Sequence, residues 1–85
     1  MGKYIVVMFL SKSVTYSGVV VSVESVEGFG VLLFVHGELD GVNSEFYLKT
    51  SEETFRRVQY LGIGVRVEGV GVIISENPLI VLARE

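Results

Sequence analysis

The chain carries few residues with which to run a reaction. It has no cysteine and a single histidine, His36. Zinc sites draw on three or four Cys, His or acidic ligands in set spacings, so no metal site is expected, and no thiol nucleophile exists. His36 and Asp40 lie across a turn with no nucleophile elbow beside them, which leaves a Ser-His-Asp relay without its serine. Glu38 and Asp40 are two acids in that same turn. With no cleft to desolvate either, they read as solvated turn residues and not as a general acid and base. Gly62-x-Gly64 and Gly69-x-Gly71 do not open a helix after a strand, so they read as turn and bending glycines instead of a phosphate cradle. The chain is read as a non-enzyme without a cofactor. The residue types left to do chemistry are aromatics on strands, Phe34 and Tyr47, and cations gathered late: Lys49, Arg56, Arg57 and Arg66. No Lys or Arg falls between Ser13 and Leu48, where Glu24, Glu27, Glu38, Asp40 and Glu45 stand.

At 85 residues the chain is one domain, and its 49% hydrophobic content is high for so small a body. Oligomerisation or a protein partner is expected to cover part of that surface. A net charge of −3 disfavours non-specific binding of polyanions. Few amides (Asn43, Asn77 and Gln59) would suit a heat-adapted source. Lys3 followed by the apolar run Tyr4–Leu10 imitates a signal peptide, but the run is short and no small-residue cleavage site follows. It reads as a strand in a soluble, cytoplasmic protein: an extra edge strand or arm within residues 1–13, or a pairing surface for a second copy.

The residues from Thr50 to about Leu61 read as the one helix. Thr50 at the N-cap with Glu53 three residues on makes a capping box. Glu52 and Glu53 suit the positive end of the helix dipole, and Glu52–Arg56 and Glu53–Arg57 are i,i+4 pairs. Phe55, Val58 and Leu61 form a narrow apolar stripe, and Gly62 supplies a left-handed stop. About three turns are marginal alone, so the stripe must cover something.

The remainder reads as strands. In Thr15–Glu24, Val19, Val21 and Val23 are expected on the core face, opposite Val20, Ser22 and Glu24. Val26-Glu-Gly28 turns the chain. Phe29–His36 follows, with Phe29, Val31, Leu33 and Val35 on one face and Gly30, Leu32, Phe34 and His36 on the other. Gly37–Gly41 is a turn in which Asp40-Gly41 tolerates positive φ. Asn43–Lys49 returns with Phe46 and Leu48 inward and Glu45, Tyr47 and Lys49 outward. After the helix, Val65 and Val67 alternate with Arg66 and Glu68. The apolar phase then shifts to Val70, Val72 and Ile74, which predicts a bulge at Gly69. Ser75–Pro78 turns into a last strand with Leu79, Val81 and Ala83 on one face and Ile80, Leu82 and Arg84 on the other.

From Thr15 to Ala83 this order of elements resembles the OB-fold, a five-stranded Greek-key barrel with a helix between strands three and four. The ending Val-Arg-Val-Glu-Gly-Val…Pro-Leu-Ile-Val-Leu-Ala-Arg is similar to the closing hairpin of nucleic-acid-binding OB domains such as replication protein A subunits. The resemblance implies an all-β fold for the single domain, with the Tyr4–Leu10 strand added in front. It also implies a ligand face on strands two and three. Phe34, His36 and Tyr47 would lie there, with Lys49 at the rim and Arg56 and Arg66 meeting phosphates. Aromatic rings and cations are what single-stranded DNA or RNA requires. The function implied is a binding module in nucleic-acid transactions, as a direct binder or as an accessory subunit of a nucleoprotein complex. Two features favour a protein-interaction or oligomerisation barrel instead: acidic turns bearing Glu24, Glu27 and Glu76, and an apolar outer face at Ile80 and Leu82. In that case Phe34 and Tyr47 pack on each other or on Tyr4–Leu10.

Overall fold

The computed structural model describes residues 12–85; the expected strand Tyr4–Leu10 lies outside the described residues. Five strands and one helix follow in order: β1 (Ser13–Val26), β2 (Gly30–Leu39), β3 (Val42–Lys49), α1 (Glu52–Leu61), β4 (Arg66–Glu76) and β5 (Leu79–Ala83). The sheet closes on itself as β1-β2-β3-β5-β4. All neighbours are antiparallel except β3 and β5, which run parallel. The expected architecture, a closed five-stranded barrel with its helix between the third and fourth strands, is the one observed.

Leu33, Val35, Phe46, Leu48 and Val81 fill the barrel, all of them essentially fully buried. From α1, Val58 is buried against this core and Phe55 is half-buried beside it. Burying a valine side chain contributes roughly 1.5–3 kcal/mol, enough to hold a helix too short to persist alone. The apolar stripe is shorter than its spacing suggested, because Leu61 is 60% exposed.

Two expectations about which face points inward are corrected. In β1 the buried residues are Val14, Tyr16, Gly18 and Val20, while Val21 is exposed. Val19 lies opposite His36 on the outer face. The pairing with β2 shifts between Val20 and Ser22. That bulge changes the phase, so Val23, opposite Leu33, returns to the inner register at the rim. In β4 no shift occurs at Gly69: pairing with β1 runs unbroken from Ser13–Val72 to Val19–Arg66. The irregularity lies between Ile73 and Ser75, against β5. Gly69 faces inward beneath Tyr16, where a Cβ would stand 2.8 Å from the phenol oxygen. Val70 therefore points outward and is 45% exposed.

Gly18 and Gly37, which face each other in the β1–β2 ladder, mark the tightest crossing. A Cβ on Gly37 would lie 1.9 Å from the Ser17 carbonyl oxygen. The next turn matches its sequence signal: Asp40 and Gly41 have φ of 50° and 81°. The Asp40 carboxylate accepts from the Thr15 backbone N–H at 2.8 Å and from its hydroxyl at 3.1 Å. These bonds, the backbone one foremost, lower the Asp40 pKa and tie the turn to β1.

The helix start is also corrected. Ser51, not Thr50, is the N-cap, and its hydroxyl accepts from the Thr54 backbone N–H at 3.2 Å. The return bond that Glu53 was expected to make comes from Glu85. The Glu85 carboxylate accepts from the Ser51 N–H at 2.6 Å, from the Ser51 hydroxyl at 3.1 Å, and from the Thr54 hydroxyl. A capping box is thus assembled across 34 residues of sequence, and it joins the end of β5 to the start of α1. The pairs Glu52–Arg56 and Glu53–Arg57 form as expected.

Candidate ligand face

Strand register decides what the outer surface presents, because residues directly opposite in a ladder share a face. One row runs Ser22–Phe34–Tyr47–Ile80 across β1, β2, β3 and β5. Ile80, expected with Leu82 on an open apolar face, is fully buried, and only Leu82 of that pair is exposed. A second runs Arg66–Val19–His36–Glu45 across β4, β1, β2 and β3. The Phe34 and Tyr47 ring centroids are 5.0 Å apart and tilted by 50°, and His36 stands 6.4 Å from Phe34. Both larger rings are half-buried and His36 is exposed. Such a tilted aromatic pair contributes about 0.5–1.5 kcal/mol beyond burial, so the rings hold one another in place.

Carboxylates hold the polar ends of this group. Tyr47 donates its hydroxyl to Glu24 at 3.0 Å, and Ser22 donates to the other oxygen of Glu24 at 2.6 Å. The hydrogen bond to Glu24 raises the Tyr47 pKa, since losing the phenol proton would forfeit the bond and set two anions together. The His36 Nε2 contacts the Glu45 carboxylate, both side chains being more than half exposed. A shallow depression of about 530 Å³ opens beside them, lined by His36, Gly37, Asn43, Ser44 and Glu45.

Of the residues expected at a ligand face, Phe34, His36 and Tyr47 are brought together. Lys49 follows two residues after Tyr47 in β3, and its ammonium donates to the Phe29 carbonyl at 3.4 Å. Arg66 shares the His36 row two strands away, roughly 10 Å at ordinary strand spacing. Arg56 is not joined to this surface: it is exposed on α1, paired with Glu52. Glu24 and Glu45 also belong to the face; both were expected on the outer side of their strands, but neither was named among the ligand residues. Glu45 follows from simple alternation with Tyr47, whereas Glu24 reaches the phenol only after the β1 bulge. His36 and Asp40 are not partners, for Asp40 turns to Thr15. Among the described residues no three of His, Cys, Asp and Glu converge, and no helix is long and apolar enough to cross a membrane. Comparison of the chain with protein-family models, curated proteins and solved structures finds no match.

Proposed function

We propose that this chain is an OB-like binding module whose ligand is single-stranded nucleic acid, taken on the outer surface of β2 and β3. One observation carries the reading: Phe34 and Tyr47 stand side by side, 5.0 Å apart, with His36 next to them, on the strands that such barrels use for ligands. Half-buried rings fixed by their neighbours are suited to stacking, since they lose little freedom when a base lands on them. Lys49 and Arg66 flank the rings and serve the phosphates. Glu24 and Glu45 oppose the same phosphates, so affinity is modest and the module works best as one subunit of a larger nucleoprotein assembly.

A second reading, a protein-interaction barrel, is favoured by a different observation. Val70 and Leu82 are 45% and 39% exposed on the outer face of β4 and β5, an apolar surface with no role in binding phosphates.

Fluorescence anisotropy with labelled oligo-dT and oligo-U, at low and moderate salt, separates the two when run beside sedimentation of the free protein. Saturable binding that weakens with salt and is lost in Tyr47→Ala supports the first reading. A stable dimer with no binding at micromolar protein and low salt would eliminate it in favour of the second.

A further inference from the structure

A second concavity, of about 380 Å³, lies between α1 and β4. Its accessible apolar lining comes from Leu61, Val65 and Val67, above the buried Leu48 and Val58. Three guanidinium side chains line it: Arg57 from α1, Arg66 from β4 and Arg84 beyond β5. Among the described residues, neither Arg66 nor Arg84 has a carboxylate within ion-pair distance, and Arg57 reaches Glu53 only at 3.7 Å. Two acids share the lining, Glu68 and Glu85. Glu85 is bonded to Ser51 and Thr54 at the helix start but keeps its charge, and the three cations outnumber the two acids by one.

The phenol of Tyr16 completes the cleft. The residue is 8% exposed, and its ring lies over Gly69, where the missing side chain leaves the space. Its hydroxyl has no hydrogen-bond partner among the described residues and lies against Gly69. Among the described residues it is an unpaired donor at the edge of the cleft. Burial and the nearby Glu85 charge both raise its pKa, which keeps the proton available for donation.

We propose that this cleft binds a small organic oxyanion carried on a flat apolar ring. The ring lies on Val65, Val67 and Leu61, the oxyanion meets Arg84 and Arg57, and Tyr16 donates to it. The volume suits such a ligand, since small-molecule sites begin near 300 Å³ and combine apolar walls with a few convergent polar groups. The cleft meets the aromatic surface only at Arg66, which lines both, and the contacts proposed here, to Arg57, Arg84 and Tyr16, do not depend on nucleic-acid binding there.

The test is an NMR titration of the ¹⁵N-labelled protein with phenyl phosphate and benzoate, which distinguish a phosphomonoester from a carboxylate. Inorganic phosphate and benzyl alcohol test the oxyanion and the ring alone. Saturable shifts are expected at the amides of Val67, Gly69 and Arg84 with at least one of the two ring oxyanions. Inorganic phosphate and benzyl alcohol are each expected to bind about tenfold more weakly than the better of them, because each lacks half of the contacts. Arg84→Gln is expected to weaken that ligand about tenfold, the scale of one lost charge-assisted hydrogen bond. Arg56→Gln, which removes a neighbouring cation outside the cleft, is expected to change it less than about twofold. Absence of saturable shifts at those amides up to about 5 mM of either ring oxyanion would overturn the proposal. So would equal affinity in Arg84→Gln and wild type when both give the same folded spectrum.

Discussion

Replacing Glu24 by Gln should tighten the binding of single-stranded nucleic acid. The glutamine carbonyl keeps an acceptor for the Tyr47 hydroxyl, now 3.0 Å from the Glu24 carboxylate, so the ring should not move. What changes is one negative charge. A base stacked on Tyr47 brings its phosphate to about 7 Å from that carboxylate, and two unit charges at that distance in water repel by about 0.6 kcal/mol. Screening reduces the repulsion to about 0.4 kcal/mol at about 20 mM salt and about 0.25 kcal/mol at about 150 mM, that is, about twofold and about 1.5-fold in Kd. Anisotropy titrations with a labelled oligo-dT at both salt concentrations measure this. The ring resonances of Tyr47 give an internal check, because its pKa should fall back toward that of an ordinary phenol once the carboxylate is gone. If the Tyr47 titration moves as expected but Kd is unchanged or weaker, phosphates do not pass this carboxylate and the assigned face is wrong.

Four further substitutions test the framework that holds the face. Gly37→Ala puts a Cβ 1.9 Å from the Ser17 carbonyl oxygen and 2.5 Å from the Gly18 Cα, so β1 and β2 must part. The cost should be about 1–3 kcal/mol or more, seen as a fall in melting temperature of roughly 4–8 °C per kcal/mol; unchanged melting would show that the strands do not cross so closely. Ser51→Ala should remove about 0.5–2 kcal/mol of helix capping by chemical denaturation, and Glu85→Gln should lower stability in the same assay. The Thr54 hydroxyl and the Ser51 N–H hold the Glu85 pKa down. Its contribution is therefore present above the unfolded-state carboxyl pKa and is lost as pH falls through the lower folded value, so wild type should lose its advantage over Glu85→Gln in acid. Asp40, lowered chiefly by the Thr15 backbone N–H, follows the same sign: Asp40→Asn should be the less stable protein at neutral pH and should converge with wild type in acid, which melting at stepped pH would check.

How much of this was legible in the sequence depends on how local each cause is. The order of elements was legible, because β-branched alternation, the Asp40-Gly41 turn and the Glu–Arg pairs of α1 all act within a few residues. The adjacency of Phe34 and Tyr47 follows from that turn, which fixes the register between β2 and β3. The faces of β1 were not legible. Val19-Val20-Val21 has no alternation of its own, and the buried set is decided by Tyr16, by the close approach at Gly18, and by a bulge two residues past Val19. Gly69 misled for a related reason: an inward glycine looks like a break in pattern, when it is the space that Tyr16 occupies. The helix cap was missed by one residue because its acidic partner, Glu85, is 34 positions away and no local motif announces it. The bond from Tyr47 to Glu24 is a similar case: the outward side of Glu24 was legible, but its phenol partner is 23 residues away.

The proposed function requires that bases stack on the rings of β2 and β3. The direct measurement is the aromatic proton spectrum of the protein titrated with a short oligo-dT. Stacking predicts saturable upfield movement of the Phe34 and Tyr47 ring resonances, with smaller movement at His36. Movement confined to residues of α1 or to Val70 and Leu82, or none at all at saturating oligonucleotide, would contradict it.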